Sequence, residues 1–357
     1  MKKTLVAVAA MAAVTGAMAD VTIGGLVDVG VYSMANTISA TSKNSYQGVG
    51  ARNNGTDELF FMASEDLGNG LKANARLGFN VTASGGNVVN GTAATAITSA
   101  NNNSPTNRIS YVGVSGGFGE IQLGQQWKPG FFTVLALDPT GLTTGSGAGL
   151  VGDGSMVAYT ANSITYNSPS FNGIGLNFQK GYGENANHTG GSSSGYRLDY
   201  RNGGLYAAYS AQTAIMTSAD TFTGNWIGSS TYAGDTLYTA SGNGAQIKSS
   251  AYGGSYDFGL AKVSMGYNTG TVGGTAKNGS TVYGLSAPVG PVVLAATFSS
   301  GQQIVATGAV ATNTKGQRFA AFYDLSKRTQ LYGVSGTSTA GSVRKLTETA
   351  IGIKHSF

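Results

Sequence analysis

Residues 71–80 alternate without interruption: Leu71, Ala73, Ala75, Leu77 and Phe79 share one face, and Lys72, Asn74, Arg76, Gly78 and Asn80 the other. A period of two is the signature of an extended strand with two different surroundings, one apolar and one able to meet water. The same alternation opens the chain after residue 20, with Val21, Ile23, Gly25, Val27, Val29 and Val31 against Thr22, Gly24, Leu26, Asp28 and Gly30. It closes the chain as well, where Thr347, Thr349, Ile351, Ile353, His355 and Phe357 fall on one stripe. Strand signals of this kind recur throughout the length; helical periodicity does not.

The pattern predicts strands over residues 21–31, 57–65, 71–80, 108–115, 118–126, 159–167, 173–182, 196–201, 205–212, 247–258, 260–268, 282–287, 292–299, 318–325, 329–334 and 347–357. Turns such as Asp66-Leu67-Gly68-Asn69-Gly70, Asn202-Gly203-Gly204 and Ser326-Lys327-Arg328 alternate with longer polar connections, among them residues 35–54, 84–107, 214–244, 269–279, 300–316 and 335–345. About sixteen strands, short connections at one end and long ones at the other, give the asymmetry of an antiparallel barrel in a bacterial outer membrane. A sandwich lacks that asymmetry, and a solenoid would show a fixed repeat. The expected fold class is all-β: a transmembrane antiparallel β-barrel of about sixteen strands forming one domain. Hydrocarbon offers backbone amides no water, so the last strand must pair with the first. A barrel this wide is wet inside, and Lys72, Asn74, Arg76, Arg197, Asp199 and Arg201 can stay solvated there.

One stretch departs from the pattern. After the strand-like Glu120-Ile121-Gln122-Leu123-Gly124-Gln125-Gln126 comes Trp127-Lys128-Pro129-Gly130-Phe131-Phe132-Thr133-Val134-Leu135-Ala136-Leu137-Asp138-Pro139-Thr140-Gly141, then a Gly/Ser-rich tail to Met156. It is too long for a turn and too apolar for a solvated loop. Residues 127–156 are therefore expected to fold into the lumen and set the width of the hole.

Composition agrees. Only 10% of residues are charged, against about 25% in ordinary soluble domains. Glycine contributes 56 residues and tyrosine leads the aromatics with 18. The net charge of +5 is mild, and its lysines and arginines are unclustered, which argues against nucleic acid as a partner. Cysteine is absent, so no disulfide framework or thiolate metal site is expected. Met1-Lys2-Lys3, an apolar run to Val14 and Ala17-Met18-Ala19 read as a cleaved export leader, with the mature chain starting at Asp20.

The mature sequence resembles the trimeric general-diffusion porins of Gram-negative bacteria, especially their β-proteobacterial branch. The resemblance rests on Ser64-Glu65-Asp66-Leu67-Gly68-Asn69-Gly70-Leu71-Lys72-Ala73, on Arg108 with Tyr111-Val112-Gly113-Val114, and on Phe118-Gly119-Glu120-Ile121-Gln122-Leu123-Gly124-Gln125-Gln126. Asp138-Pro139-Thr140-Gly141 is similar to the family's constriction loop, and Ile351-Gly352-Ile353-Lys354-His355-Ser356-Phe357 to its closing strand. It implies a sixteen-stranded homotrimer in contact with bilayer and lipopolysaccharide, and passive passage of ions and small hydrophilic solutes without a cofactor. It also implies a third loop whose acidic residues oppose basic wall residues. The chain departs from the family in that eyelet: Gln125 follows Gly124 where an arginine is common, Glu58 stands near another such position, and Arg76 replaces a neutral polar residue. Arg108 matches a family arginine. Whether anions or cations are preferred stays open on these residues.

The candidate constriction wall is thus Arg76, Arg108, Lys72, Glu58, Gln125 and Glu120, and the candidate loop residues are Asp138, Asp153, Trp127 and Lys128. Charges facing one another across a narrow opening focus the field on whatever passes. Two other functions share the same barrel. Tyr159, Tyr166, Tyr200 and Tyr206 could form a stacking track in a sugar-like specific channel, or the long loops could bind a partner in an adhesin or structural barrel. An enzyme is not expected: His188 and His355 are not spaced for a triad or a metal cluster. Scattered loop carboxylates such as Glu184, Asp220 and Asp235 leave calcium binding open.

Overall fold

The chain is described from a computed structural model covering residues 20–37, 43–51, 54–82, 87–88, 108–141, 159–183, 191–215, 244, 246–272, 276–303, 312–342 and 344–357. The proposed leader, Asp153, His188, Glu184, Asp220 and Asp235 lie outside those residues. The strands are β1 (Asp20–Thr37), β2 (Lys43–Ala51), β3 (Glu58–Gly68), β4 (Leu71–Thr82), β5 (Asn87–Val88), β6 (Ser110–Gly116), β7 (Gly119–Trp127), β8 (Tyr159–Asn167) and β9 (Ile174–Gly181). They continue as β10 (Ser193–Asn202), β11 (Leu205–Ile215), β12 (Gln246–Asp257), β13 (Lys262–Val272), β14 (Ala276–Val289), β15 (Val292–Gln303), β16 (Thr312–Asp324), β17 (Thr329–Ala340) and β18 (Arg344–Ser356). Helix α1 (Pro129–Leu137) stands between β7 and β8.

Every neighbouring pair is antiparallel, and β18 pairs with β1 from Leu26↔Ser356 to Thr37↔Lys345, which closes the sheet. The seam is finished by reciprocal bonds between Gly25 and Phe357, 3.1 and 3.0 Å long. The eighteen segments reduce to sixteen staves. β5 is a two-residue extension paired with the end of β4, and β2 and β3 are two halves of one stave, both paired with β1.

The break in that stave is filled by side chains. Where β1 loses its ladder partner, the Asp28 amide donates to Asp57 Oδ1 at 2.8 Å and the Asn54 amide donates to Asp28 Oδ2 at 2.5 Å. The Tyr332 hydroxyl, reaching from β17, donates to Asp28 Oδ1 at 2.6 Å. Asp28 and Asp57 are fully buried, so these bonds replace water for two carboxylates that could not otherwise be enclosed.

The two faces separate as alternation requires. Val21, Ile23, Val112, Leu123, Leu198, Met265, Leu285, Phe319 and Ile351 are exposed on the outside, where lipid is the solvent. Residues of the other parity point inward, and directly opposed residues share a face. The inner face is not uniformly wet: Ala295, Ala320, Tyr332, Val334 and Ala350 pack with Tyr32 and Phe322 into an apolar lining on β15–β18 and β1.

Two expectations need correction. Residues read as long loops are strand in part: β1 and β2 run through 35–37 and 43–51, β13 and β14 leave only 273–275 between them, and β15 to β18 extend into 300–303, 312–316, 335–340 and 344–345. Above the hydrocarbon the outer face needs no apolar side chains, so the alternation fades while the hydrogen-bonded ladder continues. A helix is also present where none was expected. Pro129 starts α1 at a position where its missing N–H costs nothing. The buried residues Gly130, Thr133, Val134 and Leu137 then recur at helical spacing.

Candidate functional site

Helix α1 packs on the inner face of β9–β14, with most of its neighbours on β10, β11 and β12. Its entry is an aromatic cluster: Trp127 stacks on Phe131 at 4.3 Å between ring centres and lies 4.4 Å from Tyr159 and 5.9 Å from Phe132. The Trp127 carbonyl accepts a 2.9 Å bond from Gln179 Nε2 on β9. Lys128 occupies the N-cap without a side-chain cap bond.

The exit is tied down by polar bonds. Ser264 Oγ on β13 donates to the Leu137 carbonyl at 2.7 Å. Asp138 Oδ1 accepts from Thr140 N at 2.9 Å, Thr140 Oγ1 at 2.6 Å and, across the wall, Thr297 Oγ1 on β15 at 2.6 Å. Asp138 is 4% exposed. Its carboxylate holds the loop end to β15, with the buried Arg318 of β16 as a charged neighbour.

The wall beside the helix carries two similar constellations. Glu58 on β3 is bridged to Arg76 Nη2 on β4 at 2.5 Å and to Arg108 Nη2, just before β6, at 3.0 Å. On β10, Asp199 is bridged to Arg197 at 3.0 Å and to Arg201. Each group holds two guanidiniums for one carboxylate, one positive charge in excess. The arginines also lie over rings: Arg76 over Phe60 at 4.4 Å, Arg197 over Phe132 at 5.2 Å and Arg201 over Tyr206 at 4.7 Å. Such stacking fixes a guanidinium without consuming its donors.

The six wall candidates therefore differ. Arg76 keeps about a fifth of its side chain in reach of solvent (22%), whereas the Arg108 side chain is 8% exposed. Arg108 donates to Tyr159 Oη and lies over Trp127 and Tyr159 at 5.6 and 5.5 Å, so it braces the base of the loop. Lys72 faces inward opposite Asp66 and Ser115 at the short-turn end, four residues from Arg76 and so about 13 Å lower along the strand. Glu120 sits near the same end and accepts a 3.4 Å bond from Asn74 Nδ2. Gln125 shares the outward parity of Ile121 and Leu123, and its Nε2 donates to the Arg108 carbonyl at 2.6 Å. Gln126, of the inward parity, takes its place beside the cavity.

That cavity, of about 350 Å³, lies between Arg76 on one side and Arg197 and Phe132 on the other, with Gln122, Gln126 and Asn177 between them. Among the described residues that line it, the charged ones are Arg76 and Arg197. Arg197 and Asp199, expected on the wet inner face but not among the constriction candidates, do point inward, on the face of β10 opposite the exposed Leu198. Arg318 and Glu348 were missed. Arg318 is 1% exposed, and its guanidinium nitrogens make no hydrogen bond among the described residues; Asp138 and Glu348 are its charged neighbours.

The proposed tyrosine track does not form. Tyr166 stands opposite Ile121 and Phe178, and Tyr200 opposite Ile174, all on the lipid side, whereas Tyr206 points inward and Tyr159 belongs to the loop-entry cluster. His355 sits on the outer stripe, bonded to Thr329 at 2.9 Å.

The model of the Gram-negative porin family matches residues 7–341. Outer membrane porin protein 32 of Delftia acidovorans is 29% identical over 361 residues, covering 93% of this chain and 88% of that protein. Major outer membrane protein P.IB of Neisseria gonorrhoeae is 29% identical over 223 residues, a match that spans 58% of this chain and only 56% of the gonococcal protein. Among solved structures, the anion-selective porin from Comamonas acidovorans superposes with a TM-score of 0.72 at 24% identity, covering 95% of this chain and all of the other. The trimer form of OmpT from Vibrio cholerae does so with 0.64 at 14% identity, over 95% and 99%. A closed barrel of sixteen staves, apolar outside, with helix α1 lying on the inner wall, and a family match across most of its length make this chain a member of the Gram-negative porin family, located in the outer membrane.

Proposed function

We propose that the chain forms a water-filled channel through which ions and small hydrophilic solutes diffuse passively, narrowed by residues 127–156 and favouring anions. The family and fold imply a channel and not an enzyme. The observation that carries the anion preference is the cavity beside α1, whose charged lining residues, among those described, are both arginines, Arg76 and Arg197. Each belongs to a group with two guanidiniums and one carboxylate, so the carboxylate cannot cancel the local charge. A partly desolvated opening lined by one sign of charge concentrates the opposite ion. The acid of the described loop segment, Asp138, is withdrawn into the wall, so on this reading the field comes from the wall and not from an acid–base pair across the hole. The name of the structural relative from Comamonas, an anion-selective porin, agrees with it.

The chain works as a homotrimer on this proposal, as the trimer form of OmpT suggests by analogy. Residues 1–19 are removed on export. The test is reversal potential under a KCl gradient across a planar bilayer. The wild-type protein is expected to favour chloride, and Arg76→Ala with Arg197→Ala to lower the chloride-to-potassium permeability ratio by roughly threefold or more. An unchanged ratio in the double variant would remove both arginines from the selectivity site.

A further inference from the structure

Strand interiors disfavour glycine, which gives up packing and backbone entropy. Yet the inner wall carries glycines at the points where α1 and the residues after it touch the barrel. A Cβ at Gly195 would come 3.4 Å from Pro129 Cγ, and one at Gly284 would come 2.9 Å from Pro139 Cγ. Gly253 on β12 and Gly266 on β13 are direct partners in the ladder. Both underlie the same atom, Leu137 Cδ1: a Cβ at Gly253 would lie 2.7 Å from it, and one at Gly266 closer still. Ordinary carbon–carbon contact is about 3.5–4.0 Å. By contrast Gly175, also inward on β9, would place a Cβ at an ordinary 3.6 Å from Asp199.

Leu137 is 4% exposed, packed with Tyr206 and Ala208. It has little freedom to step aside, because Ser264 holds its carbonyl and Thr297 holds Asp138 behind it. We infer that the Gly253–Gly266 pair is a socket for Leu137 that sets how deeply α1 sits in the wall, and thereby the bore of the channel. The inference rests on the reading that the loop narrows the channel. Any side chain in the socket lifts the end of α1 toward the channel axis.

Gly266 is the position to test, since its nearest obstacle is the Leu137 side chain and the next is the Tyr252 carbonyl at 3.4 Å; at Gly253 the new atom would also strike the Met265 carbonyl. Folding of each variant is checked by its mobility shift between unheated and heated gel samples. Gly266→Ala is expected to lower single-channel conductance by roughly 10–30% and to lower the size limit for uncharged polyethylene glycols. Leu137→Ala added to it is expected to restore both. Leu137→Phe, which leaves the sheet untouched, should narrow the channel in the same direction, and Gly175→Ala should not. Unchanged conductance in both Gly266→Ala and Leu137→Phe overturns the socket, as does a fall in Gly266→Ala that Leu137→Ala fails to reverse. Deletion of residues 129–141 separates the two ideas. If it raises conductance while the socket variants do nothing, only the socket falls; if it too changes nothing, the narrowing role of the loop falls with it.

Discussion

Two stretches of the inner wall of this barrel are built from different residues. Beside α1, on β3, β4, the residue before β6 and the part of β10 beyond Gly195, it carries Glu58, Arg76, Arg108, Arg197, Asp199 and Arg201, paired and laid over rings. From β11 through β15, where α1 and the residues after it lie, it carries Ala208, Ser255, Gly253, Gly266, Ser264, Gly284 and Thr297. The strands and their alternation are the same. What differs is the solvent each stretch faces. Water and passing ions tolerate long charged side chains, whereas a helix laid against the wall leaves room only for small residues and for hydroxyls that bond its carbonyls and its one acid. The charge of the channel is therefore placed by where the loop does not lie, and its width by where it does.

The comparison can be broken most sharply at Glu58. Glu58→Gln leaves Arg76 and Arg108 facing a neutral amide, and Arg108 is buried, so a destabilisation of about 3 kcal/mol is expected. A shift of the denaturant midpoint in micelles measures it, and the chloride preference should rise. A stable variant with unchanged selectivity would mean that the charged stretch is held by packing and not by its charges. On the covered stretch, Asp138→Ala removes three hydrogen bonds to a buried carboxylate and should cost about 2 kcal/mol. Freed from Thr297, the loop end should also raise open-channel current noise. A quiet channel would show that Ser264 and the socket suffice to hold it. The smallest effect is expected outside: Tyr166→Phe and Tyr200→Phe, both on the lipid side, should change stability by less than about 0.5 kcal/mol and leave conductance and sugar block untouched. A sugar block lost in either variant would revive the specific-channel reading.

Some of this is legible in residue order alone. Glu120 and Gln125 differ in parity, so they cannot both face the lumen; alternation alone excludes Gln125 once Glu120 is placed inside. The same parity places Arg197, Asp199 and Arg201 on one face of β10. What alternation cannot give is height. Lys72 and Arg76 share a face of β4, yet one sits at the rim and the other beside α1. Nor does it reveal which groups cancel, since Glu58 meets Arg108 from 50 residues away.

The sequence by itself determined the barrel: its strand number, its closure and its greasy outside follow from a two-residue period, because every strand meets lipid on one side and must pair its backbone on both edges. Only the tertiary structure decided what the inside does. Facing water imposes no pattern on side chains, so the pairing of Arg76 with Glu58, the withdrawal of Asp138 onto Thr297 and the seating of Leu137 between two glycines depend on how distant strands meet around the lumen.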